Sequence, residues 1–508
     1  VTRFLRRDLY AVAASALLVT AAVLIGRHIQ DTRHTLSVHW PPVLAEWDPH
    51  VGPGTPAALA VAVAVVVYGP ASAARLRWRT LLVAAWAAAL AWILSLALVD
   101  GWQQGIAGKL TSHNEYLRVI GRFHDIPATL RDFTHHIVSG TPDPWPAHVA
   151  GHPPLATVTF VLLDRVGLRG GGWAGMWCIT VGATGCVAVL IAIRALAGAA
   201  LARRAAPFLV LAPAAVWMGA SADAYFAAVA AWAVALLALA LTARSLPYAA
   251  ASGLLFGLTC YLSYGLTLFA LIGAAVLVLG RQGLRDRPAV LPALLAGLAV
   301  TPVVLALIGF DWWEAYHLLI TRYYQGVGGT RPYGYWVWAN LACTVLITGP
   351  ATAAGLRRTA AELLRPRGAY AGRDGSGEGT GGARCERTGE GSGERIGEVS
   401  GERIGDGSGA GTGGARRGRT GEGSGEGSGE AIGGATARFR LAALVAAALL
   451  ALLAADLSGM SKAETERIWL PFALWLLPAC AFLPRPRVWL AGQAVLALLL
   501  NHLLLTGW

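Results

Sequence analysis

Charge is scarce in this chain of 508 residues: Asp, Glu, Lys and Arg make up 14% of it, against 55% hydrophobic residues. A soluble fold carries roughly a quarter of its residues charged to solvate its surface, so that class is excluded and a bilayer must act as part of the solvent. The alternating apolar and polar runs of barrel strands are also lacking, which leaves helices as the membrane-crossing element. The six cysteines (Cys178, Cys186, Cys260, Cys343, Cys385 and Cys480) include no CxxC and no ligand spacing. That excludes a disulfide scaffold and a cysteine metal site. No small-residue cleavage site follows the first apolar run, Leu9 to Gly26, so behind Arg3, Arg6 and Arg7 it is expected to be a retained span and not a removed signal.

What is present is a succession of apolar runs of roughly 17 to 25 residues, long enough to cross a hydrocarbon core of about 30 Å as helices. The net charge of +12 comes from arginines that cluster in short loops between these runs. That is a sidedness signal and not a nucleic-acid footprint. Placing the arginine loops inside gives a cytoplasmic N terminus, a return through Thr55 to Ala73, and an exit through Leu81 to Val99 into a long polar outer loop, Asp100 to Pro154. Leu155 to Leu163 is too short to span and ends in Asp164 and Arg165, so it is expected to be a juxtamembrane helix of that outer loop. Trp173 to Leu196, Pro207 to Ala220 and Tyr225 to Leu241 then alternate across the membrane, and Pro247 to Leu279 makes two short helices with Tyr261 and Tyr264 near their turn. Leu291 to Gly309 leads to a second outer loop, Phe310 to Gly334, and Tyr335 to Ala354 returns. The last spans are Leu441 to Leu457, Trp469 to Leu483 and Trp489 to Leu505.

The expected fold is therefore all-α, a polytopic transmembrane bundle of about 13 spans. Three parts follow one another: residues 1–364, a linker over 365–436, and residues 437–508. The linker is Gly, Ser, Glu and Arg with near-repeats at 393–397 and 401–405. Such a sequence buries no core and is expected to be a disordered cytoplasmic tether whose acids and bases nearly cancel. The Ala, Gly and Arg bias points to a high-GC bacterium, and so to its plasma membrane.

The outer loop concentrates ionisable groups: His113-Asn114-Glu115-Tyr116, Arg122-Phe123-His124-Asp125, Asp132, His135-His136, and Pro146-Ala147-His148-Val149-Ala150-Gly151-His152-Pro153-Pro154. Carboxylates beside imidazoles supply general bases and anion contacts, whereas a spacer needs only solubility. His148 and His152 have the i, i+4 spacing of a helical zinc pair, but Pro146, Pro153 and Pro154 argue against a continuous helix there. No metal site is therefore expected, and His152 reads as a substrate contact or a fixture of the helix start. Arg322, Arg331 and Arg467 stand among Tyr323, Tyr324, Tyr333 and Trp336, a setting that suits a sugar beside a phosphate or, equally, an interfacial aromatic belt. Asp223, behind Ser221, is either a helix cap or part of a site.

Asn114-Glu115-Tyr116, with Gly151-His152-Pro153-Pro154-Leu155 opening a juxtamembrane helix, resembles the first outer loop of GT-C-type membrane glycosyltransferases, in the style of the ArnT-like and protein mannosyltransferase enzymes. Pro213 with Ser221-Ala222-Asp223, and Glu464-Thr465-Glu466-Arg467 before Pro471, extend the resemblance. It implies transfer of a sugar from a polyprenyl-phosphate donor to a cell-envelope acceptor on the outer face, by one inverting displacement, with no cofactor. Glu115 would be the catalytic base, with Asp125 as substitute; His148, His152, Tyr116, Asp223, Arg322, Arg331 and Arg467 would contact substrate or phosphate. Asn114 departs from the pattern, since family members often carry two acids there. The rivals are a secondary transporter or lipid-linked substrate flippase, which would need charged groups at mid-membrane, and a non-catalytic membrane scaffold retaining the fold.

Overall fold

The computed structural model describes residues 2–365 and 426–507. Most of the expected tether, Cys385 included, lies outside these residues. The helices in chain order are α1 (Thr2–Arg33), α2 (Thr55–Arg75), α3 (Trp78–Ala97), α4 (Ile126–Asp132), α5 (Ala147–Ala150), α6 (Leu155–Arg165), α7 (Gly170–Ala197), α8 (Ala199–Val210), α9 (Ala222–Ala243) and α10 (Leu246–Leu262). They continue with α11 (Phe269–Leu279), α12 (Arg281–Asp286), α13 (Val290–Ile308), α14 (Trp312–Gln325), α15 (Val327–Thr330), α16 (Tyr333–Leu363), α17 (Glu426–Leu457), α18 (Thr465–Ile468), α19 (Leu470–Leu476) and α20 (Pro486–Leu503). One short antiparallel ribbon, β1 (Ala45–Trp47) with β2 (Leu504–Thr506), departs from the all-α expectation.

Among the described residues eight helices are long and apolar enough to cross a membrane: α1, α2, α3, α7, α9, α13, α16 and α17. The chain is thus a multi-pass helical membrane protein. Three shorter apolar stretches, at 246–262, 264–279 and 470–482, accompany them. Three segments differ from their expected form. Trp469 to Leu483, read as a span, is the seven-residue α19 followed by a 3-10 helix, Leu477–Phe482. Pro207 to Ala220, read as a span, is the end of α8 followed by a single 3-10 turn, Pro213–Trp217, all of it buried among other helices. Phe310 to Gly334, read as a polar loop, folds as α14 and α15, because Asp311 caps the backbone of Trp313 and Glu314 and starts a helix. The short helix at 155–165 and the pair of short helices within 246–279 do form.

Small residues set the helix crossings, as they do where lipid removes the hydrophobic incentive to associate. At the crossing of α10 and α13 a Cβ on Gly253 would collide with the Leu294 carbonyl, and one on Gly297 with the Ala250 carbonyl. Within α16 the helix breaks at Gly349 (φ 80°) before Pro350. Gln493 of α20 patches the break: its Oε1 accepts from Ala351 N at 3.3 Å and its Nε2 donates to Thr348 O at 2.7 Å. A buried side chain thereby replaces the backbone bonds that apolar surroundings would leave unmade.

The bundle has two chemically distinct ends. At one, arginines serve as carbonyl caps: Arg203 donates to Ala73 O and Leu76 O, Arg204 to Leu483 O, and Arg487 to Val67 O. At the other lie the ribbon, residues 98–169, the turn before α9, and the loop 458–469, and these hold the ionisable groups considered next.

Candidate functional site

Glu115 is the residue preceding a 3-10 helix, Tyr116–Arg122, and has extended backbone. It is 4% exposed. His148 comes to it from α5, and its Nδ1 lies 2.7 Å from Glu115 Oε1. A carboxylate only accepts, so Nδ1 carries the proton. The pairing is anchored by backbone, since His148 N donates to Asn114 O at 3.1 Å. Asn114 thus enters the site through its carbonyl. The other carboxylate oxygen, Glu115 Oε2, is buried without a hydrogen-bond partner. Such an atom is costly unless something is meant to meet it.

Oε2 belongs to a residue lining a small open recess of about 280 Å3, together with Lys109, Leu110, Ala220, Ser221, Ala222, Arg467 and Gly507. Arg467 sits in α18, 4% exposed, with Nη1 2.7 Å from Asp223 Oδ2 and Nη2 3.7 Å from Glu464 Oε2. Ser221 caps α9 by accepting from Asp223 N at 3.3 Å, so Asp223 is released from capping and holds the guanidinium. Residues lining or adjoining the recess have strained backbone: Ala220 (φ 53°), Ala463 (φ 71°) and Glu464 (φ 62°) are non-glycine residues in the left-handed region. Such strain gathers where surrounding structure fixes a site's geometry.

Electrostatics divide the acids into roles. Burial pushes the Glu115 carboxyl up, but the His148 hydrogen bond and the charges of His148 and Arg467 outweigh it and hold the group below the usual carboxylate range. Glu115 is ionised at neutral pH, as a base must be. Burial would lower Arg467, yet the carboxylates of Asp223, Glu464 and Glu115 raise it above its ordinary value. Glu466 is different: buried, with its Oε1 accepting from Leu44 N at 2.9 Å, it is pushed up to about 7, chiefly by burial.

His152 is brought to the same place but holds Tyr116. Its Nδ1 lies 2.8 Å from His148 O and 3.1 Å from the Tyr116 hydroxyl. The carbonyl only accepts, so Nδ1 bears the proton. Burial lowers His152 to about 4, which keeps it neutral. Tyr116, fully buried, stacks on Phe160 of α6 at 5.3 Å, and so α6 backs the site. The histidines therefore do not converge as a zinc set: His135 and His136 both turn to Asp132, at 2.8 and 2.9 Å. Among the described residues no group of three metal-ligating side chains is present.

The remaining expected residues lie elsewhere. Asp125 is exposed and caps α4, accepting from Ala128 N at 3.0 Å. Arg322 donates to Trp145 O at 3.4 Å. Arg331 is a buried clamp, donating to Leu36 O at 3.0 Å, Lys462 O at 2.8 Å and Glu464 Oε1 at 3.1 Å, and so fixes the loop that carries Arg467. Lys109 was missed by the sequence reading. Its Nζ donates to Thr506 O at 3.0 Å, and burial lowers it from the ordinary lysine value. A signal for it existed: the chain has only two lysines, Lys109 and Lys462, beside 39 arginines, and both fold to this end.

No family model, curated protein or solved structure matches this chain.

Proposed function

We propose that this protein is a GT-C-like membrane glycosyltransferase that moves a sugar from a polyprenyl-phosphate donor to a cell-envelope acceptor at the extracytoplasmic face of a bacterial plasma membrane. The observation that carries the reading is Glu115: an ionised, buried carboxylate with one oxygen fixed by His148 and the other without a hydrogen-bond partner, lining the same recess as Arg467 and Lys109. The N terminus of α9, a 22-residue helix, adds the positive end of its dipole to the same recess.

In this reading the acceptor hydroxyl donates its hydrogen bond to Glu115 Oε2. As its oxygen bonds to the anomeric carbon, the proton passes to Glu115 and the bond from that carbon to the phosphate oxygen breaks, with inversion. The lipid phosphate leaves with the bonding electrons, and its charge is met by Lys109 and by the Arg467 guanidinium, which Asp223 holds in place. Tyr116 and His152 position the wall behind Glu115. Arg331 positions the Arg467 loop, and Arg322 and Asp125 have structural roles. The arginine-capped end faces the cytoplasm, as the distribution of positive charge favours.

The test is sugar transfer from a panel of polyprenyl-phosphate sugars by the purified protein and by Glu115→Gln and Asp125→Asn variants. Transfer by the parent and by Asp125→Asn, and loss in Glu115→Gln, is expected. Full activity of Glu115→Gln sinks the base assignment. A parent inert toward every donor favours the scaffold or transporter.

A further inference from the structure

Multi-pass proteins carry arginine at one end as a matter of sorting, and arginines placed for that purpose alone need not meet in space. At the arginine-capped end of this bundle three of them do. Phe482 and Leu483, where the 3-10 helix after α19 ends, are reached from three other helices. Arg358 of α16 donates to Phe482 O at 3.2 Å, Arg204 of α8 donates to Leu483 O at 3.0 Å, and the Arg438 guanidinium of α17 lies 5.0 Å over the Phe482 ring. Arg357 stands beside Arg358 on Asp8, at 2.7 Å. A guanidinium has five N–H donors and always carries its charge, so one bond to a carbonyl leaves donors over. Among the described residues two carboxylates meet these four arginines: Asp8 for Arg357 and Arg358, and Glu362 for Arg438 at 2.6 Å. Two positive charges are left in excess. Protein around the head of Arg204 and, next, the charges of Arg438 and Arg358 push it below the ordinary arginine value. Arg204 is exposed, and the side chains of Arg357, Arg358 and Arg438 are 24%, 19% and 29% exposed, so an anion from outside can reach the cluster.

We propose that Arg204, Arg358 and Arg438 form a binding site for the phosphate of an anionic membrane lipid, seated against the turn at Phe482 and Leu483. Like charges gathered on one turn repel, and an anion shared between them replaces that repulsion with charge-assisted hydrogen bonds. Guanidinium groups suit the task because their forked N–H pairs match the oxygens of a phosphate. The setting favours a lipid as the source of that phosphate. α16 and α17 are both long and apolar enough to cross a membrane, so their ends, which carry Arg358 and Arg438, lie at the level of the headgroups. The chain next to the cluster stays apolar: Leu364, closing α16, is 82% exposed, and Val488, just beyond the same turn, is 67% exposed. Such surface accommodates an acyl chain and offers nothing to a free ion. Basic pockets between membrane helices recognise lipid headgroups by this combination. The site lies at the opposite end of the bundle from Glu115 and does not depend on the proposed transfer chemistry.

The test measures lipid binding by the purified full-length protein in an uncharged detergent. Phosphatidylglycerol or phosphatidylcholine is titrated in, and the lipids carried by each folded molecule are counted by native mass spectrometry. The parent is expected to bind its first phosphatidylglycerol about ten-fold more tightly than phosphatidylcholine, and to keep it against an excess of inorganic phosphate. Arg204→Gln with Arg438→Gln should loosen that lipid about ten-fold, the loss expected when two basic groups leave an anionic headgroup. Arg281→Gln with Arg285→Gln removes the same charge from exposed positions on α12 and should leave the affinity within about two-fold. Where the first double variant does not fold, Arg204→Gln alone, which keeps the pair of Arg438 with Glu362, should loosen the lipid about three-fold. No preference for phosphatidylglycerol in the parent overturns the site. So does an equal loosening in the two double variants, or an unchanged affinity in Arg204→Gln, since the arginines then do no more than sort the topology. Displacement of the lipid by inorganic phosphate overturns the lipid assignment.

Discussion

Both ends of the bundle bury a carboxylate against arginine, and they do so to opposite purpose. At the arginine-capped end Asp8 is 0% exposed, and both its oxygens are occupied: Arg357 Nε and Arg358 Nε reach Oδ1 at 2.9 and 3.1 Å, and Arg358 Nη2 reaches Oδ2 at 2.6 Å. Arg358 also donates to Phe482 O at 3.2 Å, so the cluster ties α1, α16 and the end of the 3-10 turn after α19 into one unit. At the other end Glu115 is nearly as buried, but Oε2 is left without a hydrogen-bond partner beside a recess. Buried charge by itself therefore says little about function. Asp8 and Glu115 differ in whether their hydrogen-bonding capacity has been filled and in whether a recess adjoins them.

The widest break in this comparison should come from Glu115→Gln. The substitution keeps the shape and removes the base, so transfer is expected to fall about 10^3-fold while the melting temperature holds or rises. Because His148 and Arg467 hold Glu115 below the usual carboxylate range, the parent should lose activity on the acid side only below that range, as pH falls through the lowered value. A pH–rate profile measured from neutral downward checks this.

Asp8→Asn should give the reverse signature. Two arginines lose their shared counter-charge, and stability in detergent is expected to drop by about 3 kcal/mol, the lower part of the range for a broken buried pair because both guanidinium groups are partly exposed. Transfer per folded molecule should be unchanged. Loss of transfer beyond the loss of folded protein would show that the two ends are coupled and the contrast false.

Glu466 sharpens the contrast from within the site end. Its carboxyl is raised from 4.5 to about 7 by burial, with Glu464 adding to the rise and the Leu44 hydrogen bond and the Arg467 charge opposing it. Between those two values the unfolded chain ionises while the native one keeps its proton, so stability falls as pH rises through this window, by roughly 3 kcal/mol in all. Glu466→Gln should flatten that part of the melting-temperature profile from this group. An unchanged slope assigns it to other groups.

The smallest effect is expected from Asp125→Asn. Asparagine caps a helix about as well as aspartate, so stability should move by a few tenths of a kcal/mol at most and transfer by less than two-fold. A large loss of transfer would move the base from Glu115 to Asp125.

The parts of this arrangement that were legible in the sequence depend on local pattern. Glu115-Tyr116 and the His148 to Pro154 segment could be paired because both lie in one polar loop, and the length of the 155–165 segment marked it as a helix that does not span. Asp223 and Arg467 stood out as charges at the ends of apolar runs, although their 2.7 Å bond joins residues 244 positions apart. Phe310 to Gly334 misled because its polar composition hides a cap at Asp311 and an amphipathic face, and Pro207 to Ala220 misled because an apolar run need not be one helix. Glu464 lies three residues from Arg467 and 3.7 Å from its guanidinium, and its contact with Arg331 makes it a bridge between two loops.

Hydropathy determined, without any structure, that this is a multi-pass helical membrane protein with most of its ionisable groups outside the long apolar runs, because the cost of burying charge in hydrocarbon acts on each segment separately. Which charges meet was decided only by the fold. Lys109 and Thr506 are 397 residues apart, Glu466 and Leu44 are 422 apart, and Asp8 and Arg358 are 350 apart. No periodicity or motif encodes such pairs, since a hydrogen bond is specified by distance and direction in space, and along a chain this long only the packing of the helices supplies both.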